Sequence, residues 1–171
     1  MITAIVYSSL TGHTRQYADL LSAATGLPAY ALGEEPLSQD AQVIYLSWLS
    51  AGRIVDLSKA RKKYRVVCVC ASGMSPASET LNAKLRRSNA IGDGTPLFYL
   101  QGGLDLEALP AQFRPVMRLI CRHTEKQLSA RQVLTPSEAE TLKMARGRSS
   151  AVSESNIVPV VRWFRSTQQP E

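Results

Sequence analysis

The sequence predicts an α/β chain: a parallel sheet with helices on both faces. Three observations carry this. Short apolar runs and helix-periodic segments alternate through the first hundred residues, giving five strands. The run 65–71, RVVCVCA, is apolar almost throughout, as a strand covered on both faces should be. A chain of 171 residues with 44% hydrophobic side chains is the size of one domain, expected to span 1–171, and has enough apolar mass for a core.

The elements follow in order. Ile2–Tyr7 reads as a first strand that stops at a patch of hydroxyls. Residues 13–25 read as a helix with Tyr17, Leu20, Leu21 and Ala24 at helical spacing, stopped by Gly26 with Pro28 just beyond. Ala29–Leu32 and Gln42–Ser47 are the second and third strands. DLSKARKKY, 56–64, is a short basic helix, and Arg65–Ala71 is the fourth strand. In SPASETLNAKLRR, 75–87, Ser75 is the expected cap and Pro76 the first helical residue. Pro96–Gln101 is the fifth strand.

Beyond residue 102 the alternation ends, and a helical insertion is expected over about 102–150. Leu106–Leu109 is read as a single helical turn. A longer helix runs from Pro115 to Leu128, with Met117, Ile120, Cys121, Thr124 and Leu128 as its inner stripe. TPSE, 135–138, is a capping box opening a helix that ends at Gly147. A polar loop follows. Asn156 is then expected to cap a last helix carrying Ile157, Val160, Val161 and Phe164.

Composition narrows the classes. No apolar run approaches the ~20 residues of a membrane span, and the N-terminus lacks the pattern of a secretory signal, so a cytoplasmic location is expected. Three cysteines without zinc spacing read as buried reduced thiols, and two scattered histidines make no metal site. The net charge is +6, which suits an acidic partner. The basic segments lack interleaved aromatics, so no nucleic-acid role is expected.

The chemistry concentrates in YSSLTGHTRQYADLL, residues 7–21. The first strand-to-helix turn of such a sheet points backbone N–H groups outward, and the helix dipole adds partial positive charge. Gly12 permits close approach, while Ser9, Thr11 and Thr14 offer uncharged hydroxyls. That donor set suits a phosphate carrying no magnesium. The nucleotide P-loop lysine is missing, and so is G-x-G-x-x-G. A hydroxyl-rich cap without ligand is the alternative.

Ser9-Leu10-Thr11-Gly12-His13-Thr14 fits S/T-x-T-G-x-T and resembles the phosphate loop of the flavodoxin family. The similarity covers about the first hundred residues. It implies a three-layer sandwich with a five-stranded parallel sheet of order 2-1-3-4-5, and FMN beyond the carboxyl ends of the strands. It also implies two further loops at the cofactor. One is SWLSAGRI, with Ser47, Trp48, Leu49, Ser50, Ala51 and Gly52 beside the ring and Trp48 or Leu49 stacking on it. The other is ASGMSP, with Ser72, Gly73 and Met74 on the opposite side. Carrier flavodoxins commonly place a tyrosine there and are strongly acidic. This chain has neither feature, which favours an open ring face, unless tail residues fold over it, and a reacting small-molecule substrate. Arg53 and Asp105 are within reach of the ring, without an assigned role. No general acid or base is identified.

The tail, with Gly103, Leu104 and Asp105 after the fifth strand and then the added helices, resembles a flavodoxin-domain subgroup that includes the menaquinone-dependent protoporphyrinogen oxidases. The resemblance implies an FMN oxidoreductase acting on a porphyrin-like or quinone-linked substrate. A one-electron carrier and a cofactor-less binding module remain the alternatives. Arg114, Arg118, Arg122 and Lys126 recur every four residues and line one helix face. Propionates, a peripheral contact with an anionic membrane, or plain solvent would each suit that face. The sequence leaves the oligomeric state open.

Overall fold

The computed structural model describes residues 1–34, 36–147 and 149–168. The main sheet has five parallel strands, β1 (Ala4–Ser8), β2 (Ala29–Ala31), β3 (Gln42–Ser50), β5 (Arg65–Gly73) and β6 (Leu97–Gln101), in the order β2-β1-β3-β5-β6. This is an α/β sandwich of the expected flavodoxin-like kind. It differs in carrying a sixth strand, β4 (Arg53–Ile54), antiparallel to the end of β3.

Strand alternation divides the core into two layers. Ile5, Ile44, Leu46, Cys68 and Cys70 face helices α1 (His13–Thr25) and α6 (Glu154–Gln168), meeting Tyr17, Leu21, Ile157, Val160 and Phe164. Val6, Val43, Tyr45, Val69 and Ala71 face α2 (Leu57–Lys63) and α3 (Glu79–Ser88), meeting Leu57, Ala60 and Leu85. Between Val43↔Val66 and Ile44↔Cys68 the register slips by one residue, leaving Val67 as a bulge. Because β1 is flanked by β2 and β3, with α1 on one face and α2 on the other, the connections reverse between β1 and β3. Ligands of open α/β sheets bind at such a point.

Two short strands, β7 (Gly103–Leu104) and β8 (Ser149–Ser150), pair antiparallel. They form the neck of the insertion expected at about 102–150. Beyond the neck lie a 3-10 turn (Ala111–Phe113), α4 (Arg114–Ser129) and α5 (Pro136–Arg146), with a small core of Leu104, Leu109, Cys121 and Met144. The capping box is formed: Glu138 N–H donates to Thr135 Oγ1, and Thr135 N–H to the Glu138 carboxylate.

Four local expectations are corrected. The cap of α3 is Ser78, which accepts from Leu81 N–H, and not Ser75. Residues 106–109 form turns rather than a helical turn. The Asp105 carboxylate accepts the N–H groups of Glu107 and Ala108 and holds the chain in a side-chain-closed bend. Asn156 lies inside α6, its amide donating to Tyr17 Oη and the Ala151 carbonyl, so it is no cap. Ile120 is exposed, because the inner stripe of α4 is confined to Cys121 and Leu128, with Met117 and Thr124 partly covered. The three cysteines are free and buried. No helix among the described residues is long and apolar enough to cross a membrane.

Candidate functional site

Buried polar side chains mark one edge of the sheet. Thr14 lies in the first turn of α1, while Ser47, Ser72 and Gln101 lie toward the carboxyl ends of β3, β5 and β6. Asp105 follows the neck strand, and Thr141 reaches in from α5. Burying a polar group is costly unless it is bonded, so their concentration at the carboxyl ends of the strands distinguishes this edge.

The loop after β1 turns sharply into the N-terminus of α1. Gly12 precedes α1 at φ 90°, a left-handed conformation that side-chain-bearing residues rarely adopt. It turns the chain sharply into the helix, whose first-turn N–H groups lack intrahelical acceptors. Arg15 N–H donates to Ser9 Oγ at 3.3 Å, and Gln16 N–H to the Gly12 carbonyl at 3.0 Å. Thr11 Oγ1 lies 3.0 Å from His13 Nδ1. The His13 ring therefore lies over the loop, and its Nε2 reaches the space beside Gly103.

A cleft of about 120 Å³ opens next to this loop. Leu10, Thr11, His13 and Thr14 form one wall, Trp48 and Leu49 a second, and Ser72, Gly73 and Met74 a third. Gly103, Leu104, Leu109 and Met117 close it from the insertion. The three loops expected at the site are thus brought together in part. Ser9 and Gly12 belong to the loop but not to the cleft wall. Ser47, Ser50, Ala51 and Gly52 are also outside it.

The reason is that the segment after residue 47 is a continuing strand, not a loop. Ala51 and Gly52 both have positive φ, 48° and 78°, and make the two-residue turn into β4. Asn89, at the end of α3, then clamps the hairpin. Its Oδ1 accepts Ile54 N–H at 2.7 Å, and its Nδ2 donates to the Gly52 carbonyl at 3.1 Å. Arg53 donates to the Ser88 carbonyl and so is committed to α3, away from the cleft. Asp105 is committed to its own turn.

The face expected to be open is covered. Leu109 and Met117 pack with Leu10 and Met74 over the cleft. Residue Gln101 docks α5 here: its Nε2 donates to the Ser137 carbonyl at 2.8 Å and to Thr141 Oγ1 at 2.9 Å, while Ser137 Oγ donates to its Oε1 at 2.7 Å. Thr141 Oγ1 also lies 2.9 Å from the Met74 carbonyl. That tail residues can fold over this face is readable from the sequence; that Leu109 is the one that does so is not, since only long-range folding decides which turn lies there. Met117 was visible only as an inward helix position.

Burial pushes the pKa of the Tyr99 phenol up, as it does that of Tyr17, and the Tyr99 hydroxyl donates to the Ser75 carbonyl at 2.7 Å. Burial likewise raises the Cys68 and Cys121 thiols, so neither is a poised thiolate. Among the described residues no group of three or more His, Cys, Asp or Glu side chains is arranged to hold a metal.

The residues fit FMN in their chemistry. Uncharged donors and a glycine turn stand at the phosphate end, with an aromatic ring, an aliphatic side chain and a thioether at the ring end. Space is the limit, because pockets for molecules of this size occupy about 300 Å³ or more. The ring end is filled by Leu10, Met74, Leu109 and Met117, and two of these are flexible methionines that repack readily. Compared with known families, curated proteins and solved structures, the chain matches none of them.

Proposed function

We propose that the protein is an FMN-binding, flavodoxin-like oxidoreductase that acts on a small-molecule redox substrate or a quinone. The observation supporting this most strongly is the left-handed turn at Gly12, which joins a hydroxyl-rich helix N-terminus to a cleft walled by Trp48, Leu49 and Met74. When bound, FMN supplies the redox chemistry. Ser9, Thr11, Gly12 and Thr14 would hold its phosphate through hydroxyl and N–H donors, with the dipole of α1 adding to the attraction. Trp48 and Leu49 would border one side of the ring, and Ser72, Gly73 and Met74 the other. Leu104, Leu109 and Met117 would keep water from it. The net charge of +6 speaks against docking on a basic redox partner and for a small or acidic substrate, a porphyrin-like one included.

The test is a fluorescence titration of FMN with the purified protein. Saturable quenching at micromolar concentration is expected. Thr11→Val with Thr14→Val should weaken it by at least about tenfold, since hydrogen bonds to a charged group are worth about 1.5–3 kcal/mol each. Unchanged affinity would reject the loop assignment. The small cleft favours a second reading, a cofactor-less binding module, and the absence of quenching would select it. If FMN binds, anaerobic reductive titration separates an enzyme from a carrier, because a carrier holds a long-lived one-electron state.

A further inference from the structure

We propose that α4 docks the protein on an anionic membrane surface. Few large apolar side chains are exposed among the described residues, and four of them cluster here: Phe113 at 44%, Val116 at 60%, Leu119 at 68% and Ile120 at 43%. At about 100° per residue, Val116, Leu119 and His123 project as one outward stripe opposite the inner stripe of Cys121 and Leu128, with Phe113 in the turn before it, while Ile120 lies at the edge of the groove it shares with Thr124 and Leu128. Arg118, Arg122 and Lys126, all exposed, form a second stripe beside the first. Arg114, expected in that row, is not part of it. Its guanidinium turns back to the Leu109 and Glu107 carbonyls, at 2.9 and 2.7 Å, and pins the preceding turn.

A helix with an outward apolar stripe flanked by arginines lies in the interface of a bilayer, apolar side down and cations among the headgroups. Charge selects this occupant over a second copy of the chain. In an antiparallel two-fold contact the basic stripes of the two copies lie side by side, and in any pairing α4 of a second copy adds cations and no free carboxylate. The one carboxylate on α4, Glu125, accepts from Arg146 Nε at 3.0 Å on the α5 side. Anionic lipid supplies the missing negative charge.

The test is cosedimentation of the full chain with phosphatidylcholine vesicles, with and without phosphatidylglycerol. Binding to the anionic vesicles, weakened by salt, is expected. Each arginine contributes about a fivefold gain near such a surface, so Arg118→Gln with Arg122→Gln should weaken binding about 25-fold. Val116→Ser with Leu119→Ser should weaken it by at least about tenfold. Both pairs are at exposed positions and should leave the circular dichroism spectrum and thermal midpoint unchanged. No binding to anionic vesicles, or binding indifferent to both pairs, would overturn the proposal. So would a solution dimer that Val116→Ser with Leu119→Ser splits, since the stripe would then belong to a second copy. The readout does not depend on FMN, so its failure and that of the functional proposal are separable.

Discussion

Gly102 and Gly103 lie where neighbouring atoms already fill the space a Cβ would take. At Gly102 it would stand 2.6 Å from Ser72 Oγ; at Gly103, 2.2 Å from His13 Nε2 and 2.8 Å from the Ser149 carbonyl oxygen. Gly102→Ala should therefore cost about 1–3 kcal/mol in urea unfolding. Because a single hydroxyl makes the clash, Ser72→Ala should restore most of that loss, and strict additivity in the double-mutant cycle would refute the contact. Ala51 holds a left-handed φ of 48° in the hairpin turn, so Ala51→Gly should stabilise the protein by up to about 1 kcal/mol. Gly12 and the threonines around it were legible in the sequence, because a glycine turn before a helix is a local pattern. The constraint on Gly102 is invisible in the sequence, because it comes from Ser72 on another strand.

Single elements are held by few polar contacts, and those can be cut. The Asn89 side chain bonds Ile54 N–H, the Gly52 carbonyl and the Leu85 carbonyl. Asn89→Ala should destabilise by about 1–3 kcal/mol and speed hydrogen exchange at Ile54; unchanged exchange there would mean that β4 stands without the clamp. At α5, Thr135→Ala should cost about 1 kcal/mol. The Glu138 carboxyl is held below its ordinary pKa, first by the Thr135 N–H it accepts and further by Arg131. The unfolded chain binds that proton at higher pH than the folded one does. The contribution of Glu138 is therefore complete above the ordinary carboxylate range and lost as pH falls through the lowered value. Glu138→Gln should flatten the acid side of the stability profile, and a profile matching the parent's would count against this. The capping box was readable as four adjacent residues. The β3–β4 hairpin reads as a loop in the sequence because its two-residue turn begins with alanine, outside the usual turn signals.

At the scale of the molecule, the parallel sheet is legible because five apolar runs alternate with helices, whereas its strand order is implied by the resemblance of the loop after β1 and not by the alternation. How the insertion lies over the cleft is not legible, because Gln101, Ser137 and Thr141 meet only after folding. Since β7 and β8 pair directly, replacing 105–148 with Asn-Gly between Leu104 and Ser149 should leave a chain that unfolds cooperatively with a lower Tm; aggregation without a transition would show that the insertion is integral to the sandwich. The other end of the chain has a different consequence. Ile157, Val160 and Phe164 of α6 cover Ile5, Ile44 and Cys68, residues made far earlier. During synthesis on the ribosome, α1 alone covers that side of the nascent sheet until those last turns emerge. A premature stop codon ahead of α6 would leave the part of that flank beyond α1 permanently uncovered, a substrate for chaperones and proteases.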